Sequence, residues 1–429
     1  MWNLFSESGA RKLSLWFSSL VIVGIFLSFA IRILPSIGIA GLFITGVGYS
    51  IRHRRIAQRA HWPMLLSFVL IYLLHAVTGI AQYDAAENNL GQDLVLQLPL
   101  LLLPLAFLLL PPWLEEQRNM LWLVLIGCCL LSALGSTVNY VINYKEINQA
   151  YLHSKIMPTV PDYIRFSLLV SMAVLTGAFL FFKQELPARW HWPTGGAVVL
   201  LYVFQHLLAV RSGLLTMYAG GLLLLAWLGW QRAHRKAILR TIATIVALAG
   251  LSLLLFPTLQ NKILNTREDA SVIKSTEAAN NYSITARVYS YKVAWAIIRE
   301  HPVIGVSKVK LNTEIARKYG AMYPQIEKEH YLLPHNQFIY NLAAYGLVGL
   351  LVFVLGFYYP LGVALMQRNI LAILAYVVIS LSFLVEYTLE TQIGVLTGSF
   401  FILLALVPTV PSPRLGAALP RYRASCAGW

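Results

Sequence analysis

The chain has 429 residues, 58% of them hydrophobic and only 12% charged, with a formal net charge of +15. A mean hydropathy of +0.65 over that length excludes a soluble globular chain and defines a polytopic membrane protein. The cations sort by loop, which points to membrane topology and anionic lipid groups and away from nucleic acid.

Arg11 and Lys12 precede an apolar run with no small-residue cleavage site, so the first segment is a retained membrane helix and not a signal peptide. Runs of about twenty apolar residues, enough to cross a ~30 Å hydrocarbon core, recur to the end of the chain. They lack strand alternation and are therefore helices, which predicts an all-α fold of about twelve transmembrane helices with one large ordered loop. The predicted spans are 14–31, 33–51, 63–82, 93–111, 120–143, 163–182, 193–210, 213–230, 238–256, 336–357, 370–386 and 393–408. The chain thus divides into helices one to nine (1–256), a polar cap (257–335), helices ten to twelve (336–408) and a cytoplasmic tail (409–429). No internal repeat is visible.

Arg52 to Arg55, Lys183 to Arg189, Arg232 to Arg240 and a tail with Arg414, Arg421 and Arg423 fall on one side, which the positive-inside rule makes cytoplasmic. The loop from Gln82 to Gly91 has almost no Lys or Arg. Cys128 and Cys129 are adjacent in an apolar run and Cys426 is in the tail, which is neither a disulfide framework nor a metal site.

The segment from Pro257 to Pro334 holds eleven Lys/Arg against seven Asp/Glu, yet parity places it outside; long loops translocate largely regardless of charge. Its cation surplus fits an anionic ligand or a solvated surface. Thr266 to Asn281 reads as polar and mobile. Ile284, Val288, Tyr291, Trp295 and Ile298 recur at helical spacing, predicting an amphipathic helix over 284–300 with Ser283 as N-cap and His301-Pro302 as its stop. A second short helix is predicted from Asn312 to Tyr319.

Three residues are candidates for chemistry. His335 follows Pro334 at the first turn of the tenth predicted span, where free N–H groups favour a neutral ring able to act as a base. The competing reading is an interfacial histidine that caps a helix. Gly346 and Gly349 below it allow close approach of another helix. Arg211, in the outer turn between helices seven and eight, either snorkels to lipid phosphates or binds a specific phosphate with its planar fork. Arg287, in the first turn of the cap helix, either belongs to a solvated face or flanks the apolar stripe one position away; Lys292 and Arg299 on the same helix have weaker claims. Glu386 and Glu390 share the last outer loop, where they orient a sugar, assist the base or do neither. The ten histidines show no metal spacing, Glu268-Asp269 lies in the polar segment, His75 and His206 read as packing residues, and no phosphate-binding glycine loop or nucleophile elbow is present. No metal and no cofactor are expected.

At these residues the chain resembles the O-antigen ligase superfamily. His335-Asn336, nine residues, then Gly346-Leu347-Val348-Gly349 matches that family's His-Asn/Ser/Gln motif with its glycine pair, making Asn336, Gly346 and Gly349 supporting residues. Arg211-Ser212-Gly213 resembles the family's Arg-Ser-Gly turn. Arg287, Trp295, His301-Pro302 and Gly305-Val306 resemble its loop helix and the stretch after it, with Ser307 where a glycine is usual.

The resemblance implies a GT-C-like membrane glycosyltransferase of the Gram-negative inner membrane, its active site on the periplasmic side. It implies a donor glycan on undecaprenyl diphosphate, lipid A–core oligosaccharide as acceptor, inversion at the anomeric carbon, His335 as general base, Arg211 and Arg287 on the diphosphate, and no metal, nucleotide sugar or ATP. An O-antigen polymerase or an O-linked oligosaccharyltransferase would use the same donor; polymerases tend to have two sizeable basic loops, and this sequence shows one. A lipid-linked glycan transporter is a further alternative, disfavoured because the candidate polar groups gather at one face.

Overall fold

In a computed structural model, residues 2–81, 90–230 and 235–411 are described. Most of the Gln82 to Gly91 loop, Arg232, Cys426 and the tail arginines Arg414, Arg421 and Arg423 lie outside them. The helices in chain order are α1 (Glu7–Leu27), α2 (Leu34–His53), α3 (Trp62–Leu66), α4 (Val69–Ala81), α5 (Leu90–Gln97), α6 (Pro99–Leu109), α7 (Glu115–Ile142), α8 (Tyr144–Leu152) and α9 (Tyr163–Lys183). They continue with α10 (Ala188–Leu208), α11 (Arg211–Trp230), α12 (Arg235–Leu255), α13 (Pro257–Ser271), α14 (Ser283–Glu300), α15 (Lys308–Met322), α16 (Gln337–Met366), α17 (Ile370–Phe383) and α18 (Gln392–Leu406). The only strands among the described residues are Trp113–Leu114 and Thr409–Val410, two residues each, paired in parallel.

Helix falls at every predicted span, but length and hydropathy qualify fewer as membrane-crossing. Among the described residues seven helices are long and apolar enough, or up to nine if two bent pairs each count as one span. α17 and α18 have 14 and 15 residues, a rise of about 21–23 Å that falls short of the hydrocarbon thickness. The span expected at 63–82 is broken between α3 and α4 by 47°.

α9 is the axial helix, with 78% of its apolar window buried. α7, α10, α11 and α17 pack around it. At one end of the bundle the chain leaves this core. Pro257, fixed at a helix start, follows Phe256 in extended conformation, and the backbone turns by 80° from α12 into α13. α13 then lies against α8, α10 and α14. The polar stretch expected to be mobile from Thr266 is therefore a helix through Ser271, followed by a 3-10 turn at Glu277–Asn280.

α14 matches the predicted cap helix, but Ser283 does not cap it. Asp269 of α13, fully buried, accepts from the backbone N–H groups of Ile284 (2.7 Å) and Thr285 (3.0 Å) and from the Thr285 hydroxyl (2.8 Å). A carboxylate from another helix thus takes the cap's role, favoured by the dipole of α14. The buried face of α14 is Ala286, Tyr289, Val293 and Ile297, packed with Leu311, Ile315 and Tyr319 of α15 and with Tyr340 and Tyr345 of α16. Of the predicted stripe, Ile298 belongs to this core, while Ile284, Val288 and Tyr291 are turned off it and Trp295 is 50% exposed.

Cap and bundle are joined where α16 kinks. Gly346 has φ +64° and ψ −167°, open to glycine and strained for other residues. Its neighbour is not another helix, as expected from spacing, but the strap after His301: a Cβ at Gly346 would overlap the backbone of Val303 and Ile304. Gly305, at φ +65°, faces Ala344 and Gly346 as closely. Four backbone hydrogen bonds close the junction, from Val306 to Ala343, Ser307 to Ala344, Leu347 to Pro302 and Val348 to Val303. Gly349 faces Tyr345 and Leu74 of α4.

Candidate active site

Arg211, Arg287, His335 and Glu386 come from four distant segments and meet beneath the cap. α10 ends at Ala209 with a φ of 50°, and α11 starts two residues later at Arg211. Gly213 lets this first turn settle on its neighbours, since a Cβ there would run into the side chains of Gln205 and Ser167. Ser171 of α9 donates to the Gly213 carbonyl at 2.8 Å and locks the turn. The Arg-Ser-Gly sequence thus combines a cation with the small residue its placement requires. Nε and Nη2 of Arg211 are buried and have no hydrogen-bond partner.

Arg287 shares a face of α14 with Ile284, Val288 and Tyr291, one turn apart. These four, with Arg211, Lys262, Tyr163 and Glu386, line a cavity of about 350 Å³. The first three residues of the stripe seen in the sequence, Ile284, Val288 and Tyr291, are therefore part of the wall of a pocket, and Trp295 and Ile298 are not.

His335 sits one position before the N-cap of α16, not in its first turn. Asn336 is the cap, accepting from the N–H groups of Phe338 (3.0 Å) and Ile339 (3.1 Å). The ring's electrostatic partner is consequently a carboxylate and not a bare helix end. Nδ1 of His335 is 3.1 Å from both oxygens of Glu386. Arg287 Nη2 donates to Glu386 Oε1 at 2.9 Å, and the Tyr291 hydroxyl donates to the His335 carbonyl at 2.8 Å. Glu386 is only 2% exposed. Burial pushes its pKa up, but the hydrogen bond and charge of His335 and the charges of Arg287 and Arg165 outweigh that and hold it below 4.5. The imidazole lies beside the cavity and reaches it through Glu386.

The remaining candidates separate from this cluster. Lys292 is exposed, over the Tyr289 ring at 4.4 Å, and Arg299 is exposed, over Trp295 at 5.9 Å; neither lines the cavity. Glu390 belongs to a second buried network. It accepts from Gln337 Nε2 at 3.0 Å and pairs with Lys308 at 2.6 Å, and Lys308 also pairs with Asp93. His75 joins through Asp93 (3.3 Å) and the Tyr345 hydroxyl (2.9 Å). His75, Asp93 and Glu390 bring potential metal-ligand atoms within 4.8 Å of one another, a grouping with no trace in linear spacing. The Lys308 ammonium lies among their carboxylates. His206 is a packing histidine held by Tyr202 and Tyr218.

Sequence reasoning missed Lys262 altogether and underrated Glu386. Lys262 is one cation among eleven in the polar segment, with no pattern to single it out. It also missed α8: residues 143–162 add a smaller second segment to the cap end, packed on α13.

The architecture is an α-helical multi-pass bundle with a capped cation-lined cavity. Residues 196–354 match the family described as O-antigen ligase, so this stretch of the chain is similar to that family. The matched stretch runs from α10 into α16 and includes Arg211, Lys262, Arg287 and His335; Glu386 lies beyond it. No curated protein matches the chain.

Proposed function

We propose that the protein is an O-antigen ligase of the bacterial inner membrane, with twelve transmembrane helices and its cap and cavity on the periplasmic side. The donor is a glycan on undecaprenyl diphosphate and the acceptor a sugar hydroxyl of lipid A–core oligosaccharide. The observation that carries this reading is the chain of contacts from His335 through Glu386 to Arg287, ending on a cavity that also holds the unpaired Arg211.

With Nδ1 held by Glu386, Nε2 of His335 is the nitrogen that takes the acceptor proton. The acceptor oxygen attacks the anomeric carbon from the face opposite the diphosphate, the bond to the phosphate oxygen breaks, and configuration inverts. The electron pair leaves with undecaprenyl diphosphate. Arg287 and Arg211 offer fixed guanidinium groups to the charge that grows there, a large term in a site shielded from water. Glu386 stabilises the imidazolium as it forms and keeps Arg287 in place. The cations supply the charge compensation that a metal ion gives other glycosyl transfers, so turnover persists in chelator.

A polymerase is the second reading, favoured by the additional segment 143–162 at the cap end; that segment is short and brings only Lys145 and Lys155. The acceptor separates the two. Purified protein, given a lipid-diphosphate glycan donor and lipid A–core in chelator, is expected to glycosylate the core and release lipid diphosphate. Extension of the donor glycan with no product on the core would replace ligase by polymerase.

A further inference from the structure

We propose that Lys262 is a third cation for the donor's diphosphate and binds its lipid-linked phosphate, leaving the sugar-linked phosphate to Arg287; this rests on the lipid-diphosphate reading above.

Lys262 is only 8% exposed and lines the same cavity as Arg211 and Arg287. Its ammonium has no hydrogen bond or ion pair among the described residues. Burial pushes its pKa down to about 8, the charges of Arg211 and Arg287 add to that, and Asp269 offsets only part. Asp269 is itself engaged by the N-terminus of α14. A buried, unpaired lysine beside two arginines is costly to the fold. An anionic ligand removes that cost. Glu386, the acidic group in the lining, already serves Arg287 and His335, so the cavity is left with net positive charge. A diphosphate carries about two negative charges before transfer and about three after it leaves.

The geometry also divides the work. Arg287 touches Glu386, which touches His335, so the phosphate nearest the reacting carbon belongs to Arg287. Arg211 heads α11, a helix long and apolar enough to cross a membrane, along which a lipid chain can lie. Lys262, on α13, has no contact with Glu386 or His335 and falls to the lipid-linked phosphate with Arg211. The charge on that phosphate changes little as the sugar departs. An interaction equally strong in ground and transition states appears in KM and not in kcat.

The test is the purified full-length protein with Lys262→Met, assayed with a polyprenyl-diphosphate-linked glycan and with inorganic diphosphate as inhibitor. The donor KM is expected to rise about tenfold with kcat within about twofold, and inhibition by inorganic diphosphate to weaken in parallel. The Tm in detergent is expected to rise, because an unpaired buried charge has been removed, and Lys262→Arg is expected to retain most donor binding. Unchanged donor KM and unchanged inhibition in Lys262→Met would overturn the assignment while the wild type still turned over donor. A lowered Tm with kcat and KM lost together would show a structural role and overturn it too. A wild type that neither uses the donor nor is inhibited by inorganic diphosphate would remove the diphosphate reading, and this inference with it.

Discussion

Nδ1 of His335 lies 3.1 Å from both carboxylate oxygens of Glu386, 51 residues further along the chain. That contact fixes which ring nitrogen is free, and it makes the proposed base and Arg287, proposed to bind phosphate, share one anchor. Glu386→Gln keeps the shape and removes the charge. Its kcat is expected to fall about a hundredfold or more, by analogy with other carboxylate-supported histidine bases. Steady-state kinetics check this; a kcat within about threefold of wild type would separate Glu386 from catalysis.

Glu386 also sets an acid limit on stability. Its folded pKa lies below 4.5, so its contribution is fully present above that value and is lost as the pH falls through the folded pKa. Between pH 6 and pH 3 the wild-type Tm is expected to fall more steeply than that of Glu386→Gln. Parallel melting curves for the two proteins would contradict the assignment.

The strap that seats the cap on α16 makes two opposite predictions. Gly346→Ala places a Cβ against the backbone of Val303 and Ile304 and is expected to loosen the cap, read as faster proteolysis between residues 302 and 307. Ser307 holds φ +70° and ψ 148°, a region that suits glycine, while its hydroxyl caps α15 through Val309 N–H. Ser307→Gly relieves strain of about 1–3 kcal/mol and loses a cap that glycine replaces at a few tenths, so Tm is expected to rise. The sign of each change is the check.

Lys308 joins the cap to Asp93 and Glu390 from a buried position. Burial pushes its pKa down, and Glu390 and Asp93 more than reverse this. Lys308→Met leaves two carboxylates without their cation and is expected to cost about 3–5 kcal/mol, seen as loss of folded protein in detergent. A metal ion bound by His75, Asp93 and Glu390 in that variant would appear as recovered Tm on adding Zn²⁺.

The membrane class, the positions of the apolar helices and the span of α14 were legible because burial in lipid imposes composition and periodicity on each segment separately. His335, Arg211 and Arg287 were legible because local motifs mark them: a helix start, a tight turn, an amphipathic face. Lys262, the Lys308 network and the pairing of Glu386 with His335 and Arg287 were not. Each depends on which distant residue lies opposite, and an unpaired lysine differs from a solvated one only after folding. Ser307 was seen as a departure from pattern, but its positive φ shows why glycine is usual there. The direction of α13 was also hidden, since an 80° turn at Pro257 makes an ordered helix of residues too polar to be read as one.

The central claim is that the His335 imidazole is the base of a glycosyl transfer. The most direct measurement is transfer by purified His335→Ala, with circular dichroism and Tm recorded on the same sample. The account predicts a folded protein of near wild-type stability that binds donor and joins no glycan to acceptor. Near-normal transfer by that folded variant would contradict it.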